Sequence, residues 1–197
     1  MSILFALLLA IATVMRHPTP NVVSPVLSIP NIPLQISTVP PTPTPADSGD
    51  WGVAIKTGEH TYQIKVNNDA QMGTPNQILN AINDLRLRNN AQPLKTNDKI
   101  CSYAQSRAEY FAKNHQVDEH KGFKDFLEND NGFEKLGFGS LGENSSYGYI
   151  MSGVHLIEFV YMRSPEHNKN QLDPKWDHGC VGVSGSATDI IFATSPL

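Results

Sequence analysis

The chain is poor in charge, in cysteine and in long apolar runs, and each shortage excludes a class of protein. Asp, Glu, Lys and Arg make up 17% of the 197 residues, against about 25% in typical soluble domains. The net charge of −4 leaves no basic excess to neutralise phosphates, which argues against nucleic acid as a partner. Two cysteines cannot supply a four-thiolate metal site. No apolar run reaches the roughly 18–20 residues of a membrane-spanning helix.

The first part of the sequence favours export. Residues 1–15 are interpreted as a signal peptide or a short membrane anchor, because residues 3–15 are uncharged and residues 10–12 resemble a small-x-small cleavage site. No Lys or Arg precedes this run, so a buried N-terminal helix is the alternative. Residues 16–49 hold nine of the 14 prolines. Proline fixes φ and lacks an amide donor, so we expect a disordered, extended linker there.

The apolar pattern beyond this linker predicts an α+β domain. Thr74, Pro75 and Gln77 match the capping box that begins a helix. Alternating apolar residues around a glycine turn predict a β-hairpin extension within residues 50–70, for which we predict no chemistry. Further elements are expected as helices near residues 96–113, 123–127 and 152–163 and as strands near residues 181–183 and 190–193. The pattern therefore predicts one domain over residues 74–197, with helices covering a small antiparallel sheet.

Residues 137–142 fit the glycine pattern of a dinucleotide-binding loop, G-x-G-x-x-G. That pattern binds a nucleotide only where it joins a strand to a helix within a parallel βαβ unit. No such unit is indicated here, so we interpret the segment as a glycine-rich loop and expect no nucleotide cofactor.

Residues able to carry chemistry are scattered through the second half of the chain. They lie in Asp118–Phe123 around His120, in Gly142-Glu143-Asn144, in Ser164–Asn168 around His167, and in a block from Gln171 to Val183. Together with the helical segment Cys101–Ala108, these motifs in this order resemble the CAP superfamily, also called the SCP domain. That family contains cysteine-rich secretory proteins, antigen 5 and plant pathogenesis-related proteins, and the resemblance is to its bacterial branch.

The resemblance implies an α-β-α sandwich with an open cleft that holds two histidines and two acidic residues. By motif, His120 and His167 would be the histidine pair and the metal ligands, and Glu143 the first acidic residue. The second acidic position falls on Ser164, a substitution usual in the bacterial branch. Glu158 and Glu166 are candidates to replace the missing carboxylate.

Several of these residues have structural interpretations as well. Glu143 could ligate a metal, orient an imidazole, or cap loop amides. Asn144 is a candidate cleft residue, and its expected role is to tie loop backbone together. His155 and Glu158 share a helix face, which favours a structural pair. His178 is expected to be a surface or core histidine.

The function expected from these features is binding rather than catalysis. We predict an exported protein, extracellular or in the cell envelope and monomeric, which binds a small ligand such as a lipid, or a divalent cation, with zinc the first candidate. Its partner would be a small hydrophobic molecule or a cell-envelope component, and only its N-terminal segment would contact a membrane. The alternative is a peptidase-like, metal-dependent hydrolase using the same cleft, although no H-E-x-x-H helix or nucleophile elbow is present.

The two cysteines are expected to pair. Cys101 lies on the apolar stripe of a predicted helix, and Cys180 begins a predicted strand that should pack on it. In an exported protein this arrangement favours a disulfide over two buried free thiols.

Overall fold

The computed structural model describes residues 50–195, and the predictions for residues 1–49 lie outside that range. The first elements described are two short strands, β1 (Ala54–Lys56) and β2 (Tyr62–Ile64), which pair antiparallel. The amides of Thr57 and Gly58 both donate to the carbonyl of Thr61 and close the turn. The predicted hairpin is therefore confirmed.

Two long helices follow, α1 (Pro75–Arg88) and α2 (Asp98–Asn114). The capping box of α1 is confirmed, since the amides of Gln77 and Thr74 each donate to the other residue's side chain, at 3.3 and 2.9 Å. Helix α2 begins two residues later than expected, because Asn97 rather than Thr96 is its cap and accepts from the Lys99 amide.

The middle of the domain contains more structure than the sequence predicted. The expected short helix is α3 (Lys121–Asn129), and a second one, α4 (Gly132–Leu136), follows it directly. Strand β3 (Ser140–Tyr147) then begins inside the glycine-rich segment that was interpreted as a loop. Gly137, the first glycine of that segment, adopts φ +83° and ends α4.

The helix expected near residues 152–163 is present, but most of it is not α-helical. It starts as a single turn, α5 (Gly153–His155), and continues as a π-helix over Leu156–Tyr161, in which the Met162 amide donates to the carbonyl of Ile157 at 2.9 Å. A further helix, α6 (Pro165–Leu172), was not predicted. It begins on Pro165 because proline is well suited to a first helical position.

The chain closes with β4 (His178–Ser184) and β5 (Ala187–Thr194), as expected. Both pair with neighbours in an antiparallel sheet of order β3-β5-β4, so β3 is an edge strand. Side chains of β5 alternate between two faces. Ile190 and Phe192 pack with α1 and the π-helix, whereas Ile191 and Ala193 pack with α2. This arrangement confirms the α-β-α sandwich.

A disulfide joins α2 to this sheet. Cys101 and Cys180 are bonded, with their Cα atoms 4.8 Å apart at a sequence separation of 79. The predicted pairing is confirmed, and it fixes α2 against β4 on one face of the sheet.

Candidate functional site

A cavity of about 660 Å³ opens beside the edge of the sheet. Its walls come from β2, from the loop between α2 and α3, from the end of β3, and from the junction of the π-helix with α6. Three of the predicted site residues line this cavity: His120, Ser164 and His167. Glu143 and Asn144 are buried directly behind it.

His120 is held at the cavity wall by an uncommon backbone and by a buried carboxylate. Glu119 and His120 adopt φ values of 54° and 65°, a left-handed conformation that non-glycine residues seldom take and that the surrounding structure must stabilise. The Nδ1 atom of His120 lies 2.6 Å from Oε2 of Glu143, whose side chain is fully buried. The ring therefore has a fixed orientation.

Arg107 of α2 anchors this carboxylate. Its Nε donates to Oε1 of Glu143 at 2.8 Å, and its two terminal nitrogens donate to Asp118 at 3.0 and 2.8 Å. Burial alone would lower the pKa of Arg107, but its hydrogen bonds with Asp118 and Glu143 raise it overall. Arg107 is therefore a permanent cation between two carboxylates, and sequence analysis did not identify it or Asp118 as part of the site.

These contacts determine what Glu143 and His120 can do. Arg107 and His120 engage both oxygens of Glu143, so the carboxylate positions the imidazole and does not face the cavity. An ionised carboxylate only accepts hydrogen bonds, so the hydrogen of His120 is on Nδ1. In the neutral imidazole, Nε2 is then an acceptor, or a metal-binding nitrogen, available to the cavity.

His167 is the second histidine of the pair. Its ring centroid lies 6.4 Å from that of His120 and 5.4 Å from that of Tyr161. Burial, with a smaller contribution from His120, lowers the pKa of His167 to about 4, so the ring is neutral at pH 7. Its Nδ1 is buried and has no hydrogen-bond partner within residues 50–195.

Asn144 has a structural role close to the one expected. Its Nδ2 donates to the backbone carbonyl of His167 at 3.0 Å, and its Oδ1 accepts from Asn170 at 2.9 Å. Asn144 therefore ties α6 to β3 and holds the two histidines at a fixed separation. Ser164 occupies the second acidic position that the resemblance implies. It is buried, and its hydroxyl donates to the carbonyl of Val160.

Of the two candidate replacement carboxylates, only Glu166 lies near the cavity. It accepts from Lys56 at 2.9 Å and from the Tyr62 hydroxyl at 3.2 Å, and it lies 3.2 Å from Nδ1 of His60. The hydrogen bonds from Lys56 and then His60 lower the pKa of Glu166 to about 2. Glu166 is therefore an anionic anchor for the hairpin.

The hairpin itself forms part of the site, contrary to the sequence interpretation. His60 and Tyr62 line the cavity, and the ring centroid of His60 lies 5.9 Å from that of His120. A histidine next to a turn gave no sequence signal, because only the packing of the hairpin on Glu166 brings His60 to the cleft.

Glu158 lies outside the cleft, and the expected pair with His155 is wrong. Glu158 accepts from Arg88 at 2.8 Å on the surface of α1, whereas Nδ1 of His155 contacts Asp69 at 2.8 Å. His178 contacts the neighbouring Asp177 and does not line the cavity.

The donor set fits a metal ion only in part. Among residues 50–195, no group of three or more His, Cys, Asp or Glu side chains is placed to hold a metal. His120 and His167 still offer two oriented, partly buried imidazoles, so a cation here would take two protein nitrogens and complete its coordination with water.

The sandwich and its His/Glu cleft define a CAP-type domain, and the sequence agrees. The family model described as the cysteine-rich secretory protein family, CAP, matches residues 79–193. The chain belongs to this family. The hairpin lies before the matched region, so His60 and Tyr62 reach the cleft from outside the family domain.

Solved structures show the same fold. An extracellular, SCP-domain protein of Bacillus anthracis aligns with a TM-score of 0.54 and 24% identity over 61% of this chain. A cysteine-rich secretory protein of Staphylococcus aureus aligns with a TM-score of 0.50 and 18% identity over 68%. This chain spans 40% and 43% of those two chains, respectively. No curated protein matches the sequence. No helix in residues 50–195 is long and apolar enough to cross a membrane.

Proposed function

We propose that this protein is an exported CAP-domain protein whose cleft binds a small ligand with both polar and apolar parts. Export is supported by the N-terminal sequence pattern and by the disulfide, which is typical of oxidising compartments. The cavity volume is within the range of ligand sites. Apolar side chains such as Val117 and Val160 share its wall with histidines and serines.

One observation carries this proposal, namely the fixed orientation of His120. A buried carboxylate held by a buried arginine keeps the hydrogen on Nδ1 and leaves Nε2 at the cavity wall as an acceptor. Orienting an imidazole in this way costs the burial of two charged groups, Arg107 and Glu143. That cost is readily understood if His120 contacts a ligand.

The same contacts favour binding over hydrolysis. A metal-dependent hydrolase needs a base beside the attacking water. Glu143 is the carboxylate closest to His120, and both its oxygens are already engaged by Arg107 and His120. Its contribution in this arrangement is to position the ring.

A neutral amphiphile with one hydroxyl, 2-naphthol, tests the cleft. Titrated into ¹⁵N-labelled protein, it should shift the amide resonances of Ser145, Ser146 and Tyr149, which line the cavity. His120→Ala should weaken this binding by about 2- to 10-fold, the value of one hydrogen bond. His178→Ala is the matched control and should leave binding unchanged. Shifts confined to another surface, or equal affinity in His120→Ala, would contradict the proposal.

A second candidate ligand is a divalent cation, with zinc the first choice. It is favoured by the neutral state of His167 at pH 7 and by the carboxylate contact to His120, which resembles the support of metal-bound histidines. In calorimetric titrations with zinc chloride, His120→Ala and His167→Ala should each weaken binding by at least about tenfold. Zinc binding should be unchanged in the control variant His178→Ala. Zinc binding of equal strength in all three variants would exclude the cleft as the site.

A further inference from the structure

We propose that the ligand of this cleft is an extended peptide that adds as a strand to the open edge of β3, facing the edge of β2. The inference rests on the proposed function, and it names the class of ligand. The supporting observation is the direction in which the backbone amides and carbonyls of β2 and β3 point.

The register of the hairpin determines which backbone amides and carbonyls of β2 point away from β1. The Thr57 amide bonds to the Thr61 carbonyl, so these two residues form a hydrogen-bonded pair. Pairs alternate in an antiparallel ladder, so the amides and carbonyls of Tyr62 and Ile64 point away from β1. The contacts of Ile64 agree, because its amide and its carbonyl both bond the hydroxyl of Tyr149, at 3.1 and 3.3 Å.

The same argument applies to β3. The Gly148 amide bonds to the Ser186 carbonyl, so even-numbered residues of β3 face β5 and odd-numbered residues face the open edge. The contact of Glu143 agrees, since its carbonyl accepts from Nδ2 of Asn170 at 3.2 Å. The outward groups of Ser145 and Tyr147 therefore face away from the sheet, and both residues line the cavity.

At each edge, a side chain bonds the outward backbone groups of one residue. The outward backbone groups of the residue two positions away face the cavity. Tyr149 bonds to Ile64 and Asn170 bonds to Glu143. Within residues 50–195, no protein group bonds the outward amides and carbonyls of Tyr62, Ser145 and Tyr147. Groups of this kind are the binding surface used when a peptide adds a strand to a sheet.

A peptide satisfies these groups better than a compact molecule does. Donors and acceptors recur at every second residue along β3, and an extended chain presents the complementary series at the same spacing. Its alternate side chains would face the histidines, where the acceptor nitrogen of His120 suits a hydroxyl or amide donor.

The test uses the full chain and an acetylated, amidated hexapeptide pool with randomised side chains. In ¹⁵N spectra the pool should shift the amides of Ser145, Tyr147 and Tyr62. An identical pool with every residue N-methylated has no residue amide to donate on either edge of the peptide and should bind about 3- to 10-fold more weakly. Equal binding of the two pools would overturn the proposal.

Tyr147→Pro removes one outward amide from the protein, at an edge position where proline is tolerated. Tyr147→Ala is the matched control, because it loses the same side chain and keeps the amide. The pool should bind Tyr147→Pro about 3- to 10-fold more weakly than Tyr147→Ala. If 2-naphthol binds the cleft and the pool does not, the peptide inference fails and the proposed function stands. If neither binds, both fail.

Discussion

Arg107 is the residue on which the geometry of the cleft depends. Its side chain is 8% exposed, donates to Glu143 and Asp118, and has its guanidinium carbon 4.5 Å from the ring centroid of Phe111. A buried cation between two carboxylates is stabilised only while all partners are present, because each charge has lost its water. Burial and then the charge of Glu143 raise the pKa of the neighbouring Asp189 above its usual range.

Replacing Arg107 should therefore be costly. Arg107→Met leaves Glu143 buried without its cation and should lower the free energy of unfolding by about 3–5 kcal/mol in urea denaturation. Arg88→Met is the control, since Arg88 pairs with Glu158 on the surface and should cost less than about 1 kcal/mol. A loss of similar size in both variants would show that the Arg107 cluster is not a special stabilising feature.

His167 should make stability depend on pH. Its pKa is about 4 in the folded protein and about 6.5 when unfolded, so between these values only the unfolded state binds the proton. Stability should fall as pH drops from about 6.5 to about 4, and this contribution should be constant below that. In EDTA, His167→Gln should show a smaller loss between pH 7 and 4.5 in urea denaturation. His178→Gln is the control, and an unchanged slope in His167→Gln would contradict the prediction.

Among the elements, the hairpin is notable because it completes a cleft that the family domain alone leaves open on one side. The hydrogen bonds that hold it to α6 meet at one exposed carboxylate, Glu166, which engages Lys56, His60 and Tyr62. Additional contacts come from Tyr149, whose hydroxyl bonds the backbone of Ile64. The hairpin is therefore fixed at two points, one charged and one neutral.

Removing the charge of Glu166 should loosen the hairpin without unfolding the domain. Glu166→Gln should speed hydrogen exchange of the Thr57 amide several-fold, while exchange in α2 and β5 stays unchanged. Glu128→Gln provides the control, since Glu128 pairs with Lys124 on the surface of α3. Unaltered exchange at Thr57 would mean that Tyr149 and apolar packing hold the hairpin unaided.

For the whole molecule, the disulfide is the longest-range covalent constraint in the described residues. It closes a loop with a sequence separation of 79, which includes α3, α4, β3 and the cleft residues His120, Glu143 and His167. In the chain-entropy treatment, a loop of this length contributes about 4–5 kcal/mol by restricting the unfolded chain. The gain is therefore made mainly in the unfolded state.

Cys101→Ala/Cys180→Ala should lower the free energy of unfolding by about 4–5 kcal/mol, measured in urea under non-reducing conditions. The wild-type protein in excess reductant should lose a similar amount, which separates the bond from the change of side chain. A loss below about 1 kcal/mol in both experiments would contradict this prediction.

Among the elements that sequence analysis missed, strand β3 has a clear physical reason for giving no signal. Strand β3 has four consecutive buried residues, Glu143 to Ser146, and all of them are polar. No apolar alternation marks it, because its side chains are satisfied by partners distant in sequence. Arg107 bonds Glu143, Asn170 bonds Asn144, and Thr188 bonds Ser146.

The sequence by itself determined the features that depend on near neighbours. The capping box at Thr74, the hairpin turn, the apolar stripe that carries Cys101, and the ordered motifs that place the chain in its family can all be read within a few positions. Those signals also identified His120, Glu143 and His167 as members of one cleft, through the resemblance to the family.

Only the tertiary structure decided what these residues do there. Glu166 meets His60 across 106 positions and Arg107 meets Glu143 across 36, and no local pattern encodes such pairs. The folded structure assigned Glu143 to positioning His120, separated Glu158 from the cleft, and brought His60 into it. The physical reason is that a buried charge has a defined role only when its partners are known, and those partners come together only when the sheet and its helices pack.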